Sequence, residues 1–190
     1  MLKQLIFLLA ILLASTSAWS DNFDDALTKF HASSGTKEFF ANAYGYAVFP
    51  TIGKGGIGIG AAYGKGRVYR GNVAVGKTDM VQVSLGFQLG GQAYSQIIFF
   101  KNKAAYDRFT SGSFEFGAEA SAVALTLGAN AKTGTTGTSA GSNEARTPDA
   151  SSTGSWTADM AVFTLAKGGL MYEAAIGGQK FSYTQLDGKS

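Results

Sequence analysis

Residues 71–78 read GNVAVGKT and satisfy G-x-x-x-x-G-K-[ST] letter for letter, the pattern of a backbone cradle for nucleotide phosphates. A working cradle lies between a strand and a helix, so that main-chain N–H groups and the helix dipole converge on the phosphates. Here Asn72, Val73, Ala74 and Val75 favour a strand, and the residues after Thr78 alternate with period two, not with a helical period. No nucleotide is expected, and the motif reads as two strands joined near residues 76–79. GKGGIG at 53–58 fits G-x-G-x-x-G and fails on the same ground, because no helix follows it.

Catalytic and metal-binding patterns are equally sparse. His31 is the only histidine and there is no cysteine, so neither a nucleophile–base pair nor a set of soft metal ligands can be assembled. Glu115 and Glu119 are spaced as paired carboxylates could be, but solvated surface positions are the simpler expectation. The sequence predicts no enzyme, no cofactor and no metal. What stands out is charge distribution. Between Glu38 and Asp79 there is no acid, but there are five bases: Lys54, Lys65, Arg67, Arg70 and Lys77. Phe39, Phe40, Tyr44, Tyr46, Phe49, Tyr63 and Tyr69 are interleaved with them. Such a stretch predicts a locally positive rim with amphipathic rings.

The elements that carry these residues follow from periodicity. Residues 21–33 predict a helix, with Phe23, Leu27 and Phe30 at i, i+4 and i+7. Residues 36–44 predict a second, closed by Gly45. From Tyr46 the period changes. YAVFP predicts a short strand, and GGIGIGAAYGKGRVYRGNVAVGKT two strands around a turn at residues 64–66. MVQVSLGFQLGG alternates, with Val81, Val83, Leu85, Phe87 and Leu89 on one side and Gln82, Ser84, Gly86 and Gln88 on the other. QAYSQIIFF is a further strand, Asn102 an N-cap for an inserted helix stopped at Gly112, and SFEFGAEASAVALTLGA a return to strand. Residues 132–155 have the composition of a flexible loop, and two or three closing strands follow. The expected fold is α+β: a curved or barrel-like, mainly antiparallel, Gly-rich sheet with N-terminal helices and one inserted helix.

The first twenty residues have the form of a secretory signal peptide: a positive start at Lys3, an apolar run from Leu5 to Leu13, and Ala18-Trp19-Ser20 before a cleavage site. With no cysteine, a lipoprotein signal is not expected. Residues 1–20 are read as the leader and 21–190 as one domain. Loss of Lys3 leaves 15 bases against 13 acids, a net charge of +2, too little to suggest nucleic acid. The expected destination is outside the cytoplasm, periplasmic or secreted, with membrane association in view.

Four blocks in order resemble the SYLF domain family over about residues 34–184: AYGYAVFPTIGKGGIGIGAAYGKGRVY, VSLGFQLGGQAYSQIIFFKNKAAYDRF, SFEFGAEASAVAL and ADMAVFTLAKGGLMYEAAIGGQKFSY. The resemblance implies binding of phospholipid, especially anionic lipid, and in fungal members of actin as well; it transfers no catalytic residue. The exported bacterial members make a phospholipid or membrane surface of the cell envelope the expected partner, with an envelope protein as a further candidate. In that light Lys54, Lys65, Arg67 and Arg70 are the candidate headgroup contacts, on a Gly-rich hairpin, with Phe39 and Phe40 as candidate apolar contacts. Two alternatives are a structural or protein-interaction module of the envelope and a small outer-membrane β-barrel, the latter disfavoured by helices that interrupt the strand series.

Overall fold

The computed structural model describes residues 17–57, 59–85, 92–117, 124–127, 156–167 and 176–186. Among the described residues, three α-helices and eight strands make an α+β fold, in the order α1 (Ser17–Ala32), a 3₁₀ turn (Ser34–Thr36), α2 (Lys37–Asn42), β1 (Gly45–Ile57), β2 (Ile59–Arg70), β3 (Val73–Leu85), β4 (Gln92–Phe100), α3 (Lys103–Phe109), β5 (Ser113–Glu115), β6 (Ala124–Leu127), β7 (Met160–Lys167) and β8 (Lys180–Gln185). The strands form one sheet in the order β5-β8-β3-β2-β1-β4-β7-β6. Seven strands are antiparallel, β6 runs parallel to β7, and the sheet is curved without closing into a barrel. The expected loop at residues 132–155 and residues 1–16 of the expected leader at 1–20 lie outside the described residues, while residues 17–20 open α1.

Side-chain alternation gives the sheet two covered faces. On the inner, concave face Phe49, Ile52, Val68, Met80, Ile98 and Phe100 meet α3 through Ala105, Tyr106 and Phe109, and meet Phe181 from β8. On the outer face Tyr46, Val48, Tyr69, Ile97, Phe99 and Phe163 pack under α1 and α2. Of the predicted stripe on α1, Phe23 and Phe30 are buried and Leu27 is partly buried, with Ala26 buried between them. The Thr36 hydroxyl donates to the Phe30 carbonyl and so satisfies one of the open acceptors at the end of α1. Asn102 caps α3 as expected, its Oδ1 accepting from the Ala105 N–H at 2.9 Å, and Gly112 has φ +115° beyond the last turn.

Three sequence expectations are corrected. β1 extends over 13 residues, well past YAVFP, with a bulge between Val48 and Thr51 that accommodates Pro50 in a central strand. No turn occurs at residues 64–66, since β2 runs straight through Gly64-Lys65-Gly66. These glycines serve close packing instead: a Cβ on Gly64 would lie 2.6 Å from Ile52, and one on Gly66 2.6 Å from the Phe49 ring. Nor do strands meet near residues 76–79, which lie within β3. The turn is at Gly71-Asn72, where φ values of 56° and 66° match the two-residue hairpin turn that the twist of paired strands prefers.

Candidate functional site

The GNVAVGKT stretch resolves into that turn followed by strand. Gly71 and Asn72 reverse the chain, and Val73 to Thr78 pair with β2 and in part with β8. Gly76 is accounted for by the Tyr183 ring, which a Cβ there would approach to 2.1 Å. Thr78 is buried and Lys77 points away from it on the opposite face. The N–H groups of this segment are committed to a ladder, so no phosphate cradle forms.

The candidate basic residues separate by the parity of their positions. Lys65 and Arg67 share the outer face, and Arg67 is directly opposite Lys77 of β3. Arg70 falls on the other face, exposed at the far end of β2, close enough to Tyr106 to affect its titration. Lys54 also falls on the inner side, near the opposite end of β1, and burial lowers its pKa. Phe39 is 4% exposed and packs against Phe99, Trp156 and Phe163. Phe40 is half-buried against Phe99, Tyr46 and His31. Both rings therefore serve the outer core.

What the outer face does assemble is a cationic and apolar patch beside α1. Arg67 holds its guanidinium 4.3 Å above the Phe23 ring, an attraction between the cation and the ring's negative face. The facing pair Arg67–Lys77 sets like charges directly across a ladder, an arrangement that costs stability. Lys65 faces Asp79, whose Oδ1 accepts from the Tyr63 hydroxyl at 3.3 Å. Lys167 at the end of β7 donates to Thr51 Oγ1 at 2.7 Å; burial first, and the charge of Lys29 second, lower its pKa. Further along the same face Tyr63, Val81 and Val83 are 48%, 48% and 72% exposed. The alternation predicted for β3 is present in the described part, with its apolar set turned outward. Met80 and Gln82 are buried on the inner side, where Gln82 Nε2 donates to the Gly177 carbonyl at 2.8 Å.

A groove of about 330 Å³ opens at the centre of this patch, between Phe23 of α1 and Tyr63 of β2, with Pro50, Thr51 and Gly53 from the β1 bulge at its base and Lys65 at its rim. Lys77, Lys167, Tyr63, Val81 and Val83 were not anticipated as a group. The signal that would have joined Tyr63 to Lys65 and Arg67 is the parity of one unbroken β2 strand, which the apparent Gly-Lys-Gly turn concealed. Among the described residues no cluster of His, Asp or Glu could hold a metal ion, and no helix is long and apolar enough to cross a membrane. Glu115 pairs with Lys180 at 3.5 Å on the surface, while Glu119 lies outside the described residues.

The model of the family described as Las17-binding protein actin regulator (Ysc84) matches residues 81–185, more than half of the chain. The chain belongs to this family. It is the SYLF family of the sequence resemblance, and membership supports a binding module related to lipid or actin. The match spans the end of β3 through β8, including α3 and Gln179, so Val81 and Val83 fall within it. The β1–β2 hairpin, with Lys54, Lys65, Arg67 and Arg70, lies on the N-terminal side of the match. No curated protein matches the chain.

Proposed function

We propose that this SYLF-family protein is a non-enzymatic module that binds anionic phospholipid surfaces, exported to the bacterial cell envelope by its first twenty residues. The observation that carries the reading is the outer-face patch, where Lys65, Arg67 and Lys77 stand beside exposed Tyr63, Val81 and Val83. Cations at the edge of an apolar surface match the two layers of a membrane interface, phosphate outside and acyl chain within. Each base near an anionic leaflet contributes about 1 kcal/mol. The Phe23–Arg67 stack keeps one of these charges in place despite the facing Lys77.

Flotation with anionic and with zwitterionic vesicles tests the reading. The protein is expected to float with anionic vesicles only and to be released by salt, since exposed charges are screened. Lys65→Ala/Lys77→Ala should weaken binding roughly 30-fold, from about 2 kcal/mol of lost attraction. Arg70→Ala, on the other face, should not. Equal loss in both variants, or binding insensitive to salt, would remove this face from the account. The family description names protein partners, and the same exposed valines suit a protein docking face; retention on envelope protein without vesicles would favour that second reading.

A further inference from the structure

We infer that the groove beside Phe23 holds one acyl chain of a single anionic amphiphile, such as a fatty acid or lysophospholipid, with its headgroup at Lys65. The inference rests on the lipid-binding reading for its ligand class and adds that one molecule is taken up individually. Four observations lead there. The groove is lined by apolar or uncharged residues, among them Phe23, Tyr63, Pro50 and Gly53, and among the described lining residues Lys65 alone is charged. Its volume, about 330 Å³, is at the low end for small-molecule clefts and suits one chain better than the two of a diacyl phospholipid. Further cations flank the same rim: Arg67 over Phe23, and Lys167 on Thr51. Tyr63, which lines the groove, is paired across the ladder with exposed Val81, a path for a chain from the interface.

The groove is open at Gly53, which carries no side chain. A Cβ there would meet nothing within 4 Å, and the same holds for Gly55, two residues along the same strand face and outside the groove lining. Gly53→Leu therefore adds its side chain to empty space and fills the groove, while Gly55→Leu is the matched change beside it.

Dodecyl phosphate below its critical micelle concentration is titrated calorimetrically into the full chain, with dodecyl maltoside and inorganic phosphate as separate probes. Saturable one-to-one binding of dodecyl phosphate is expected, at least tenfold weaker for the maltoside and negligible for phosphate alone. Gly53→Leu should weaken it at least tenfold at unchanged thermal midpoint, and Gly55→Leu should not. A diazirine-bearing dodecyl phosphate should label the peptides that contain Phe23 and Tyr63, a location that needs no variant to fold. Labelling elsewhere, unsaturable uptake, or undiminished binding in Gly53→Leu overturns the inference. Vesicle flotation in parallel separates the two proposals. Flotation without dodecyl phosphate binding refutes the groove and leaves the surface reading standing. One-to-one binding without flotation keeps the groove and removes the membrane surface.

Discussion

Gln96 and Gln179 are completely buried on the concave side and hydrogen-bond each other in both directions, at 2.9 and 3.1 Å. Gln179 Nε2 also donates to the Tyr94 hydroxyl at 3.2 Å. One amide comes from β4 and the other from the residue just before β8, strands that are four positions apart in the sheet, so the pair ties the curve together across its interior. A buried amide that loses its partner bears its full desolvation penalty, about 1–3 kcal/mol. Gln96→Leu is therefore expected to lower unfolding free energy by about that much, and Gln179→Leu similarly. The double variant should be less destabilised than the sum of the two, because neither amide is then left unpaired. Denaturant melts of all four proteins measure this, and strict additivity would show that the reciprocal bonds contribute little.

At the scale of elements, the strongest local signals held. The α1 stripe, the strand QAYSQIIFF and the Asn102 cap each depend on residues within one or two turns of each other, and such short-range information is visible in a single sequence. Asn102→Ala should cost about 1 kcal/mol, read as a lower thermal midpoint, because one amide at the start of α3 loses its acceptor. Asn102→Asp should retain most of the stability, and a midpoint for Ala equal to that of the wild type would mean that α3 is held by Tyr106 and Phe109 alone. The β2 strand was misread for a reason equally local. Gly-Lys-Gly is a turn signal, but here glycine is demanded by Ile52 and Phe49 on the neighbouring strand, partners more than ten residues away in sequence. Once β2 was broken in two, the parity that joins Lys65 with Arg67 and separates both from Arg70 was lost, and the candidate site was drawn from bases on two faces. Lys167 and the outward valines depend on strand order, which no local pattern contains.

For the molecule as a whole, the class of fold was legible because its N-terminal helices, alternating Gly-rich strands and one inserted helix are spelled out in order. The curvature and the two opposed cores were not, since they depend on bulges at Val48/Thr51 and Val68/Tyr69 and on which strands become neighbours. The two cores bury several tyrosines, and their burial sets a pH limit on the fold. Burial pushes Tyr46, Tyr94 and Tyr106 up to about 12 from the ordinary value of 10.0, with Tyr69 adding to the effect at Tyr46 and Tyr183 at Tyr106. The folded chain thus keeps phenolic protons that the unfolded chain releases first. Stability from these groups is fully present below pH 10 and is lost as pH rises towards about 12. Tyr94, only 2% exposed, supplies up to about 3 kcal/mol of that loss; the other two act in the same direction and contribute less where solvent reaches them. Urea midpoints between pH of about 8 and 12 should fall steeply above 10. Tyr94→Phe removes one titrating phenol, and the bond from Gln179 with it. Its stability should be lower at neutral pH but decline less steeply in the alkaline range, so that the curves of variant and wild type converge. Parallel curves would mean that Tyr94 ionises as readily in the folded chain as in the unfolded one, and that the concave core is wetter than its packing implies.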